Sequence, residues 1–197
     1  MGRDDGMIDH LSALPARSQE WLAVLKITDP VLHAELAETI VIAPAATPVA
    51  TGLPAGVDTA LAVVDLTDKE IGAFRFAPAA GRDARERITA HDARIREDFD
   101  TGEDIVFVGD HDAGHVFVSL QGVGLLDIVA QPPRIRALAH DFTGFLIAQA
   151  NACDAYKRCL VQATDLAGYH AAAEACAALP AMAGVEVATI FDAQRRG

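Results

Sequence analysis

The segment from Glu103 to Leu146 constrains the fold more than any other part of this 197-residue chain. Three short runs, residues 105–108, 115–120 and 123–129, are rich in valine, leucine and phenylalanine, the composition of strands that bury at least one face. Residues 109–114 (GDHDAG) have the turn chemistry of Asp and Gly, and Gly122 separates the second run from the third closely enough to continue a meander. Pro132 and Pro133 end the sheet. Beyond them Ile135, Leu138, Phe142, Phe145 and Leu146 recur at three- and four-residue steps, which predicts an amphipathic helix packed on the sheet.

Around this segment the chain alternates helix and strand signals. Trp21, Leu22 and Leu25 predict a helix over 16–27, and Asp29-Pro30 suits the start of a second short one over 31–39. Residues 40–44 (IVIAP) read as a strand, and 45–56 as an Ala/Pro/Thr/Gly loop. Residues 61–66 and 71–76 predict a hairpin, and 82–99 a helix whose apolar stripe is Ala84, Ile88, Ile95 and Phe99. In the tail, 157–163 reads as a strand, 166–179 as a helix and 185–191 as a strand. The alternative is one continuous helix over 154–179 that tolerates Gly168. The prediction is an α+β fold, a mainly antiparallel sheet flanked by amphipathic helices. Residues 1–150 form its principal domain, and residues 151–197 a β-α-β extension, either packed on the same core or set apart as a lobe.

Charge narrows the partners. The chain carries 16 basic and 28 acidic side chains, a net charge of -12. That balance argues against nucleic acid and against an anionic membrane surface, and favours a basic partner. Glu97, Asp98, Asp100, Glu103, Asp104, Asp110 and Asp112 accumulate with no intervening Lys or Arg, and form the candidate partner-binding face. Cys153, Cys159 and Cys176 show neither C-x-x-C spacing nor an even-numbered disulfide framework, so free thiols are expected. The opening residues lack the basic and apolar regions of a secretory leader, and no run is long enough to span a bilayer; a cytoplasmic protein is expected.

Chemistry-bearing motifs are few. Asp110, His111, Asp112 and His115 are ligand types suited to a divalent metal, and a small metal-dependent enzyme using Asp110, His111 and His115 is the alternative to a binding role. On a tight turn, however, these side chains need not converge, and Asp bonding the turn backbone accounts for them without a metal. His140 and Asp141 are adjacent on the helix expected there and point about 100° apart, too far for a base and its orienting carboxylate. The three serines, Ser12, Ser18 and Ser119, sit in no nucleophile elbow, and Gly122-Val-Gly124 opens a strand where a dinucleotide fingerprint would open a helix. No catalytic residue and no cofactor is assigned.

The run Ile105-Val-Phe-Val-Gly109-Asp110, Gly114, the strand that follows it, and Asp141-Phe142-Thr-Gly-Phe145-Leu146 resemble the C-terminal half of the SUKH superfamily, which includes bacterial immunity proteins and fungal cell-wall assembly regulators. Gly52-Leu53-Pro54 is similar to a loop of some members, so the resemblance spans residues 14–150 at most. The acidic helix followed by L-P-x-x-Y/F and an N-G-G turn is missing, and the tail is no part of that pattern. The resemblance implies an α+β fold and a non-enzymatic role in neutralising a toxin or effector. A nuclease toxin is basic because it holds phosphates, so an acidic inhibitor face would complement it. A ligand-sensing or oligomerising module is a further reading, suggested by the tail.

Overall fold

A computed structural model describes residues 6–28, 30–101, 104–162 and 166–196. In chain order the elements are α1 (Leu14–Thr28), α2 (Pro30–Ile40), β1 (Ala43–Pro44), α3 (Val57–Leu61), β2 (Val64–Asp65), β3 (Glu70–Ile71), β4 (Phe74–Phe76), α4 (Ala84–Arg96), β5 (Val106–His111), β6 (Gly114–Ser119), β7 (Gly122–Asp127), β8 (Arg134–Ala139), α5 (Phe142–Gln162), α6 (Leu166–Ala177) and α7 (Val187–Arg196). Strands β3 to β8 form one antiparallel sheet in sequential order, and β1 pairs with β2 in a separate two-stranded ribbon. The fold is α+β, as the sequence predicts.

The meander is the framework. Val116, Val118, Val123, Leu125 and Leu138 belong to one large cluster with Phe142, Phe145 and Leu146 of α5. Ile105, Phe107, Phe117 and Leu126 belong to a second cluster with Ile95, and Phe99 packs against it. The sheet therefore has helix on both faces, α5 and its neighbours on one and α4 on the other, and its central strands β5 to β7 are buried at nearly every position. Helix α4 starts where Asp83 caps the Glu86 amide and Glu86 answers to the Arg82 amide, a reciprocal cap that ends the preceding loop.

Four expectations are corrected. First, residues 61–66 and 71–76 do not pair with each other. The hairpin is β3–β4, turning at Gly72 with φ +59°, where a Cβ would meet the Gln194 side chain at 2.0 Å. Second, the helix expected from Ile135 is β8, and α5 starts only at Phe142. Antiparallel pairing with β7 sets Ile135 opposite Leu126 and Arg136 opposite Leu125, so successive side chains take opposite faces. Asp141 then accepts from the Gly144 amide at 2.8 Å and starts the helix.

Third, residues 157–162 continue α5 as helix, because Leu146 to Cys153 are already enclosed on every side and the helix has no cause to end there. Fourth, residues 187–191 are helix: Val187, Ile190 and Phe191 are buried together at three- and four-residue spacing, the helical period. Among the described residues the tail's elements are thus helices rather than β-α-β, with Val185 alone bridging Ala139 of β8. Residues 163–165, at the end of the expected strand and the approach to the expected helix, lie outside the described residues. The proposed boundary at residue 150 falls inside α5, which crosses it without a break, and Tyr169, Cys176 and Phe191 share a core with Phe74 and Phe142.

Candidate functional site

Strand β5 is longer at its end than the sequence suggests. Its register with β6 shifts between Phe107 and Gly109, and pairing then runs on through Asp110 opposite His115 and His111 opposite Gly114. The turn shrinks to Asp112 and Ala113, and the supposed turn residues Asp110 and His111 become strand residues facing opposite sides.

Asp110 faces α4. Its Oδ1 lies 2.8 Å from His115 Nδ1 and 3.5 Å from Nε2 of the fully buried His91, and its Oδ2 accepts from Arg94 Nη2 at 2.9 Å. Arg94 also reaches His91 Nδ1 at 3.2 Å. Burial works against the Asp110 carboxylate, but His115, His91 and Arg94 together outweigh it and hold its pKa below the ordinary value. Burial dominates at His91, whose pKa is lowered despite the Asp110 charge. Edges and faces of Phe99 and Phe107 enclose the His115 ring at 5.7 and 6.0 Å between centroids.

His111 belongs to the other face. Its Nδ1 accepts from the Ala113 amide at 3.2 Å, its buried Nε2 has no hydrogen-bond partner among the described residues, and burial lowers its pKa. His111 therefore cannot join His115 and Asp110 around one ion, which corrects the metal set read from the sequence. Among the described residues no three His, Cys, Asp or Glu side chains are placed to hold a metal. The sequence reading also missed His91 and Arg94. Their spacing of three on α4, with His91 between Ile88 and Ile95 on the apolar stripe, was the available signal.

The acidic run divides. Glu97, Asp98, Asp100 and Asp104 are exposed and gather in the α4–β5 connection, with no ion pair to any described residue. Glu103 lies outside the described residues. Asp110 and Asp112 sit at the opposite end of β5, about 17 Å away along six strand residues. Asp110 is moreover neutralised by its neighbours, so the candidate face is the four-residue group, with Asp112 apart from it.

Beside that group the sheet is open. Helix α4 lies along β5, and the face over β6, β7 and β8 carries a trough of about 310 Å³. Gly122, Gly124, Ala137 and Ala139 line it together with Ile105, Phe117 and Ile135, and Glu186, His140 and Gln121 contribute polar groups. Ile105, one residue from Asp104, joins the trough to the acidic connection. Comparison with known protein families, characterised proteins and solved structures found no match.

Proposed function

We propose that this chain is a non-enzymatic binding protein that neutralises a basic toxin or effector, the role implied by its resemblance to the SUKH immunity proteins. The observation that carries the reading is the group Glu97, Asp98, Asp100 and Asp104: four exposed carboxylates in the α4–β5 connection, with no ion pair to any described residue. Several other carboxylates are matched locally, as in Glu86 with Arg82, Asp92 with Arg96 and Asp68 with Arg87. A concentrated, uncompensated field of one sign steers a partner of the opposite sign and selects against wrong ones. The α+β fold agrees with the resemblance.

The test is co-expression with the product of the adjacent gene, followed by titration of the purified pair. Binding is expected to weaken at least about tenfold when ionic strength rises from roughly 0.05 to 0.5 M. The double substitution Asp98→Lys and Asp100→Lys is expected to slow association by about tenfold or more, and Asp112→Lys to change it far less. A complex indifferent to salt and to Asp98 and Asp100 sinks the charge-based reading.

A further inference from the structure

We infer that the open trough over β6, β7 and β8 receives a large apolar side chain of the same basic partner, flanked by Lys or Arg; this rests on the proposed function and adds the residue that anchors it. The trough exists because its floor is built of small residues. Gly124 is the clearest case: a Cβ there would come within 2.3 Å of the Phe117 ring, so the ring lies directly on the strand backbone and leaves an apolar surface level with it. Ala137, on the neighbouring strand, is exposed.

Large apolar side chains stand at its lip without cover. Ile135 is 63% exposed and Leu120, beside the lining residues Ser119 and Gln121, is 90% exposed. Ile128 and Val129, in the β7–β8 loop outside the trough, are exposed as well. An apolar patch rimmed by polar groups is the mark of an interaction surface. Its volume is at the small end for ligand sites, a fit for one side chain of a partner.

Charge decides the occupant. The rim carries the exposed Glu186, and Asp104 directly precedes Ile105, while Arg136, which also borders the trough, shares Asp127 with Arg134, at 2.7 and 3.8 Å. A second copy of this chain, itself at -12, would bring like rims together. An anionic amphiphile would meet the same repulsion. A cationic segment with a central aromatic residue satisfies both rim and floor, and aromatic anchors in desolvated pockets dominate binding energy at interfaces of this kind.

The experiment titrates the ¹⁵N-labelled full chain with acetyl-Lys-Arg-Trp-Arg-Lys-amide, the same peptide with Ser for Trp, and acetyl-Glu-Glu-Trp-Glu-Glu-amide. The Trp peptide is expected to shift the amides of Gly122, Gly124 and Ala137 and to bind roughly tenfold more tightly than the Ser peptide. Ala137→Phe, which fills the trough from an exposed position, should abolish that difference and leave Ser-peptide binding unchanged. Should Ala137→Phe fail to fold, Ile135→Asn at the lip is the second variant, with the same expectation. Equal affinity for the Trp and Ser peptides, a Trp preference untouched in the folded variants, or no trough shifts with any peptide overturns the anchor. Equal binding of the basic and acidic Trp peptides instead overturns the charge reading beneath it.

Discussion

Asp110 shows how a single side chain changes meaning with its position. In the sequence it is one of seven acids in a run; in the fold it accepts from Arg94, lies 2.8 Å from His115 Nδ1 and faces the buried His91 at 3.5 Å. Replacing it by Asn removes the charge facing those groups and should cost about 1–3 kcal/mol in urea unfolding, a larger loss than Asp112→Asn at its exposed turn. The buried histidines set a pH dependence with a definite sign. Burial lowers the pKa of His111 and His91 below the ordinary 6.5, so the unfolded chain binds protons that the folded chain refuses. Their contribution to stability is complete above about pH 6.5 and is lost as pH falls through the lowered folded values. Asp110, also lowered, adds a second loss at more acid pH, below 3.8. His111→Phe should reduce the slope of unfolding free energy against pH just below 6.5 by up to about 1.4 kcal/mol per pH unit, one proton's worth. An unchanged slope would mean that His111 titrates alike in both states.

At the scale of elements, the helix α4 was legible from its apolar stripe, and the strands β5, β6 and β7 from short runs rich in valine, leucine and phenylalanine bounded by Asp or Gly. β8 was not. Six residues with Ile135 and Leu138 three apart satisfy a helical period as well as a strand, and only pairing with β7 selects between them. The helix start beyond it is local chemistry: Asp141→Ala should lose the hydrogen bond to Gly144 and about 1 kcal/mol of stability, whereas Asp141→Ser should retain most of it. The candidate site divides in the same way. Exposed acids in a connection could be recognised by counting, but the trough beside them could not, since it is made by what α4 leaves uncovered.

For the whole molecule, α5 is the organising element. Its buried Asn151 pairs with both backbone groups of Ile8, at 3.0 Å and 2.9 Å, and its buried Gln149 donates to the Ile71 carbonyl and to Gln194 of α7. One helix thereby ties the first described residues, the β3–β4 hairpin and the last helix to a common core. Phe191 is packed against Tyr169 at 5.2 Å, and its carbonyl accepts from that tyrosine's hydroxyl at 2.7 Å. Phe191→Ala should therefore destabilise the entire chain by about 3–5 kcal/mol, with near- and far-ultraviolet circular dichroism reporting one coincident transition. A separate early transition for the tail would show instead that residues beyond 150 form a lobe of their own.

What the sequence determined by itself was whatever short-range chemistry decides: the α+β class, the meander of β5 to β7, the apolar stripe of α4, the free cysteines and the acidic balance. Tertiary structure alone decided whether an ambiguous apolar run became strand or helix, which acids stayed free and which were neutralised, and which half of the sheet stayed open. The reason is physical. Periodicity and capping act within a few residues, but the partner of Asp110 on α4, the packing around α5 and the edge of α4's shadow on the sheet depend on contacts between segments far apart in the chain.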